Sequence, residues 1–279
     1  MAAILPFIFE EAKAGVSGEK AKMPVLFVGH GSPMNAIEDN VFSKEWGRLG
    51  REIPRPKAIL CISAHWFIPG TFVTHVTLPP TIHDFGGFPK ELFAVEYPAP
   101  GNAELAEQIH KASVNPKVEL DEKWGLDHGT WSILKHMYPK ADVPVLQLSI
   151  DRTKPAQFHY DLGKKLAALR RQGVLIIGSG NIVHNLRMVD FSRIGEAGFG
   201  FDWAVEFNEF SKSHILKGDH QPLIEYEKFG KPALLAVNSS EHYLPLLYTL
   251  GLQEQGEPAV LFNDAMMGGS LNMTSVKIG

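Results

Sequence analysis

Four short apolar runs, each opening into a loop that carries a histidine, constrain this chain more than any other feature of its sequence. Val25-Leu26-Phe27-Val28 leads through Gly29 to His30, and Leu60-Cys61-Ile62 through Ser63 and Ala64 to His65. Leu175-Ile176-Ile177 leads across residues 178–183 to His184, and Leu234-Leu235-Ala236-Val237 across residues 238–241 to His242. Runs this apolar, without polar alternation, suit strands covered on both faces. The pattern predicts buried strands over residues 24–28, 58–62, 145–150, 174–177 and 233–237, with a further strand over 71–78. Helical periodicity falls between them, over residues 104–112, 155–171, 203–216 and 243–250. Pro155 suits the first helical position, and Lys164, Lys165, Arg170 and Arg171 lie toward the negative end of the helix dipole. Strands alternating with helices give an α/β fold: a single layered domain, residues 23–279, with a central, largely parallel or mixed sheet flanked by helices. Residues 1–22 read as an N-terminal extension, helical or loosely ordered.

Charge and cysteine content narrow the setting. Against 31 Asp+Glu stand 27 Lys+Arg, a formal net charge of −4, so the chain has no broad basic footprint for nucleic acid. No run reaches the roughly 18 apolar residues that span a bilayer. The apolar start, residues 1–9, lacks a leading basic residue and runs into Glu10 and Glu11, unlike a secretory leader. The single cysteine, Cys61, excludes an intrachain disulfide and fits a reducing, cytoplasmic compartment. Its apolar neighbours mark it as a buried hydrophobe rather than a nucleophile.

In α/β sheets ligands gather at the carboxyl ends of the strands. If the four runs are parallel neighbours, their histidines converge on one rim. Imidazole binds zinc, iron and copper. With no cysteine pairs and no His-Glu-x-x-His motif, an imidazole cluster points to a catalytic metal with open positions rather than a structural zinc. His30 and His65 have the shortest reach from their strands and are assigned as ligands. Glu241 and His242 compete for the third place, because adjacent side chains of an extended segment point opposite ways. The carboxylate would give the two-histidine, one-carboxylate arrangement of non-heme Fe(II), and the histidine a three-histidine site. His184 either completes the shell or stands beside it as an acid or base. His128 follows Asp127, which either orients an imidazole or caps a helix. Trp66 and Phe67 offer an aromatic wall or core packing. His83, Asp84 and Phe85, between prolines and a Gly-Gly pair, read as a lid or cleft loop. Arg187 is a solvent-facing arginine or an anchor for a substrate carboxylate.

The motifs Gly29-His30-Gly31-Ser32-Pro33, Ser63-Ala64-His65-Trp66, Asp127-His128-Gly129, Gly180-Asn181-Ile182-Val183-His184-Asn185 and Glu241-His242-Tyr243-Leu244-Pro245 occur in this order. Together with Pro79-Pro80-Thr81-Ile82-His83-Asp84-Phe85-Gly86-Gly87-Phe88, the set resembles the bacterial branch of the 4,5-DOPA dioxygenase extradiol family, of the class III extradiol ring-cleaving type. The resemblance runs from about residue 23 to the end. It implies one α/β domain with a metal in a cleft, held by His30, His65 and a third ligand in the Glu241-His242 segment. This branch is similar to members that use the histidine there, whereas distant protocatechuate-type relatives supply a carboxylate. His184 matches the catalytic base of those relatives and counts also as a fourth ligand position, and His128 matches a second active-site histidine. The implied cofactor is one divalent metal, Fe(II) for activity or Zn(II) as isolated. The implied partners are a small-molecule catechol such as DOPA and O2, giving a 4,5-cleaved seco-DOPA semialdehyde. The same histidines would also serve a zinc-dependent hydrolase, or survive in a non-enzymatic Memo-like binding protein on the same fold.

Overall fold

The structure, a computed structural model, describes residues 22–196 and 198–279; the extension read over residues 1–22 therefore lies, but for Lys22, outside the described residues. The strands are β1 (Val25–Gly29), β2 (Ala58–Ile68), β3 (Phe72–Thr74), β4 (Glu119–Asp121), β5 (Val145–Asp151), β6 (Val174–Gly180), β7 (Ala259–Phe262), β8 (Met266–Met267), β9 (Leu271–Asn272) and β10 (Ser275–Ile278). The helices are α1 (Val41–Glu52), α2 (Lys90–Phe93), α3 (Ala103–Ala112), α4 (His128–Met137), α5 (Ala156–Lys165), α6 (Ala168–Arg171), α7 (Asp202–Lys217), α8 (Gln221–Ile224), α9 (Lys231–Ala236) and α10 (Leu244–Gly251). Among the described residues, eight strands form one sheet in the order β4-β3-β5-β2-β6-β1-β10-β7. Its centre, β5-β2-β6-β1, is parallel, while β10 and β7 add an antiparallel flank and β3 runs antiparallel to β5. The sheet is thus mixed.

The apolar runs are strands because both of their faces are covered. In β1, Val25 and Phe27 enter one core, and Leu26 and Val28 the other. In β6 the split is Val174 and Ile176 against Leu175 and Ile177. The first core lies under α5, α7 and α10, and the second under α1 and α4. At roughly 1.5–3 kcal/mol per fully buried aliphatic side chain, the central strands carry much of the folding drive. Cys61 sits in the second core, its thiol pushed up by burial, as its neighbours predict.

Three sequence readings need correction. Residues 233–237 are not a strand but the end of α9, entered through Gly230, at φ +86°, and Pro232. Ala233, Ala236 and the cap residue Val237 are buried, at helical spacing, while Leu234 is exposed. A five-residue apolar run reports burial but not period, and here the period is helical. The strand expected over 71–78 is confined to Phe72–Thr74, and the helix expected over 155–171 is split into α5 and α6, with Pro155 at the cap position.

Candidate active site

His30 leaves the end of β1, its backbone N–H donating to the Gly180 carbonyl of neighbouring β6 at 3.2 Å. His65 does not follow its strand but lies inside it. β2 pairs with β5 up to Ile62 and resumes at Phe67, so His65 occupies an irregularity between the two. Such bulges re-aim side chains. His128 is the first residue of α4. His184 lies four residues beyond β6, its N–H bonded to the Ala236 carbonyl at 2.9 Å. His242 follows α9 rather than a strand, and its carbonyl accepts from the Asn181 N–H at 2.9 Å. Gly180 permits that approach: a Cβ there would lie 2.1 Å from the His242 oxygen. The shared address past strand ends therefore holds for His30 and His184 and fails for His65 and His242, yet all of them arrive together.

Ring centroids lie 5.0 Å apart for His30–His65, 5.3 Å for His30–His242, 3.8 Å for His65–His128 and 3.5 Å for the stacked pair His184–His242. Donor atoms of His30, His65 and His128 fall within 4.8 Å of one another, as do those of His184, Glu241 and His242.

Hydrogen bonds on the far side of each ring set its tautomer. Ser179 gives its only hydroxyl proton to the Gly129 carbonyl at 2.6 Å, so at 2.9 Å it accepts from Nδ1–H of His30. Asp84 accepts from Nδ1–H of His65 at 3.0 Å and of His128 at 2.9 Å. Glu241 accepts from Nδ1–H of His242 at 3.2 Å. With Nδ1 engaged in all four, the unbonded Nε2 lone pairs are free for the interior. Those of His30 and His65 face each other at 3.1 Å. Two lone pairs at this distance repel unless a proton or a cation lies between them. The donor set, neutral imidazoles each held by a second partner, fits a divalent transition-metal ion.

Electrostatics agree. Burial, then the charges of neighbouring imidazoles, holds His30 and His242 well below the ordinary histidine value. Burial also lowers His128 despite its bond to Asp84, and brings His184 to about 4. At His65 burial is outweighed by the Asp84 hydrogen bond and the nearby Asp127 charge, and the pKa is raised. Burial would raise the Asp84 carboxyl, but hydrogen bonds from His128 and His65 hold it far below the carboxylate range.

The remaining sequence candidates fall elsewhere. Asp127 is a buried cap, accepting from Thr130 N–H at 3.2 Å, from Ser63 Oγ at 2.7 Å and from Gln147 Nε2 at 2.6 Å. Trp66 is 2% exposed and stacked on Trp124, so it packs rather than lining a cleft. His83 donates through Nε2 to the Val95 carbonyl at 2.9 Å among Phe85, Phe93 and Trp131. The aromatic ring beside the cluster is Phe85, edge-on to His128 at 5.5 Å. Arg187 is exposed on the turn Leu186–Met188. Ser179 carried no sequence signal, and Asp84 was visible only as part of its loop.

Residues 24–268 match the family described as the catalytic LigB subunit of aromatic ring-opening dioxygenase. The chain belongs to the LigB family. It is 48% identical over 262 residues to the 4,5-DOPA dioxygenase extradiol of Escherichia coli (strain K12), covering 92% of this chain and 95% of that one. It is 38% identical to the Beta vulgaris 4,5-DOPA dioxygenase extradiol, over 90% of this chain and 95% of that one. A crystal structure of an uncharacterized Escherichia coli K12 protein superposes with a TM-score of 0.80 at 43% identity, covering 92% of this chain and all of the other. As a LigB-family member the chain is an extradiol ring-opening dioxygenase, an oxidoreductase, rather than a hydrolase or a Memo-like binding protein.

Proposed function

We propose that this LigB-family chain opens a catechol of the DOPA type at the 4,5 position with O2, using one divalent metal held by His30, His65 and His242. The observation that carries the reading is the 3.1 Å approach of two Nε2 atoms whose Nδ1 partners are already engaged. When bound, an Fe(II) ion would supply the Lewis acidity and electron transfer that the ring opening needs, and Zn(II) would hold the same site without redox chemistry.

The chain's own residues supply binding, orientation and proton transfer. Glu241 acts on His242 from outside, holding Nδ1–H, so the histidine and not the carboxylate is the third ligand in this reading. His184 is the proton acceptor for a catechol hydroxyl. It is neutral near pH 7 because burial lowers its pKa to about 4, and its ring stands against that of His242. His128, with Nδ1–H fixed by Asp84, presents its Nε2 lone pair to the same space, where it can take a proton and return it once protonated. Phe85 offers a ring edge to an aromatic guest. Arg187, exposed on the turn after His184, offers a guanidinium to a substrate carboxylate.

Anaerobic reconstitution with Fe(II), followed by a catechol panel including DOPA and then air, tests the reading. A yellow ring-opened product that requires both Fe(II) and O2 is expected. No turnover of any catechol by protein loaded with Fe(II) would overturn it.

A further inference from the structure

The loop that carries Asp84 is pinned over the residues just before it. Ile82 donates its N–H to the Leu126 carbonyl at 2.7 Å, and its own carbonyl accepts from Trp131 Nε1–H at 2.9 Å. Two residues earlier the Pro80 carbonyl accepts from Leu126 N–H at 2.8 Å, and His83 is tied to Val95. Asp84 itself accepts three hydrogen bonds. Oδ1 accepts from the His128 backbone N–H at 3.0 Å and from its Nδ1–H at 2.9 Å, and Oδ2 from His65 Nδ1–H at 3.0 Å. The carboxylate is 18% exposed on its side chain and cannot turn without breaking one of these bonds.

We propose that Asp84 is a positioning residue whose single carboxylate locks His65 and His128 in the same tautomer, turning both Nε2 lone pairs into the site. One group thereby sets a proposed metal ligand and the neighbouring proton-transfer histidine together. Asp127, adjacent to His128 in sequence, cannot do this, because its oxygens are occupied by Ser63, Thr130 and Gln147. Chemistry explains why a carboxylate is required. An amide at position 84 has one oxygen and one NH2 group. It can accept from one imidazole, but it offers N–H to the other Nδ1, forcing that ring into the Nε2–H form and removing its inward lone pair. Outer partners of ligating histidines of this kind are worth about 10–100-fold in metal affinity.

The inference rests on the metal reading above, and the experiment separates the two. Zinc(II) alone is the probe, titrated against a chromogenic chelator, with imidazole tautomers read from long-range 1H–15N spectra assigned with His65→Gln and His128→Gln. In the unsubstituted protein both His65 and His128 are expected as Nδ1–H. Asp84→Asn should weaken zinc binding at least about 10-fold and convert one of the two rings to Nε2–H, while Asp84→Glu, which keeps a carboxylate, restores part of the affinity. Asp84→Asn binding zinc within about twofold of the unsubstituted protein, with both ring signals unchanged, would overturn the proposal. So would finding Nδ1 of either ring without a proton in the unsubstituted protein, a result that needs no variant to fold. Zinc uptake that survives His30→Ala combined with His65→Ala would sink the metal reading instead, leaving the nitrogen signals to judge Asp84.

Discussion

The Nε2 atoms of His30 and His65 stand 3.1 Å apart, although one residue ends a strand and the other sits inside its neighbour's neighbour. Ser179 and Asp84 close off the opposite nitrogens, so this short contact must hold a positive centre. In metal-stripped protein a proton is expected in that place. The Asp84 hydrogen bond raises the His65 pKa and burial lowers that of His30, so His65 is its expected holder. Metal uptake therefore displaces a proton from His65. Affinity for zinc should rise as pH increases through the His65 pKa and fall on acidification, with His65→Ala abolishing uptake. Competition titrations across pH check both slope and sign, and a flat profile would contradict the assignment.

His184 is expected to matter for turnover more than for metal retention. Its backbone is fixed by the Ala236 carbonyl, and its ring lies flat against His242 at 3.5 Å. His184→Gln should lower kcat about 10²–10⁴-fold while leaving the bound-metal content near that of the parent. Metal analysis beside single-turnover kinetics separates the two effects. Full ring-cleavage activity in the variant would remove the base assignment.

Gly129 is where α4 meets β2. A Cβ at this position would lie 2.6 Å from Ser63 Oγ and 2.9 Å from His65 Cδ2, both fixed side chains of the site. Gly129→Ala should cost about 1–3 kcal/mol and shift the His65 ring, lowering zinc affinity as well. Gly86→Ala is the control, since a Cβ there meets nothing within 4 Å. Urea midpoints for the two variants should differ accordingly.

Acid stability has its own origin, far from the histidines. Arg170 is fully buried and grips Glu257 through two hydrogen bonds of 2.8 and 2.6 Å, while also donating to the Met23 and Leu252 carbonyls. Burial alone would raise the Glu257 carboxyl, but hydrogen bonds from Arg170 and Lys22 bring it down to about 2 from an ordinary 4.5. The folded value lies below the unfolded one. The stabilisation is therefore complete above 4.5 and drains away as pH falls toward about 2. Glu257→Gln should lose about 3–5 kcal/mol at neutral pH, because Arg170 then lacks its charge partner, and should show a flatter stability profile over that acid window. Urea unfolding at a series of pH values measures both.

The central strands were legible in the residue order alone, and so were the histidines that gather at the candidate site. The unbroken apolar runs 25–28 and 174–177 have no polar face to expose, and each face of both strands is covered by one of the two cores. Histidines at positions 30, 65, 128, 184 and 242, without thiolates, limit what could gather around a guest. Tertiary structure decided the rest. Residues 233–237 carry the same apolar signal as a strand, and only packing against the first core selected the helical period. Nothing local announces that β2 continues past its apolar run and bulges at His65, because that depends on how Phe67 and Ile68 pair with β5. The roles of Asp84 and Ser179 lie in hydrogen bonds to residues 19 or more positions away along the chain, 44 for Asp84–His128 and 149 for Ser179–His30. A carboxylate's or hydroxyl's partner is a matter of three-dimensional proximity, which a residue's own sequence neighbours do not encode.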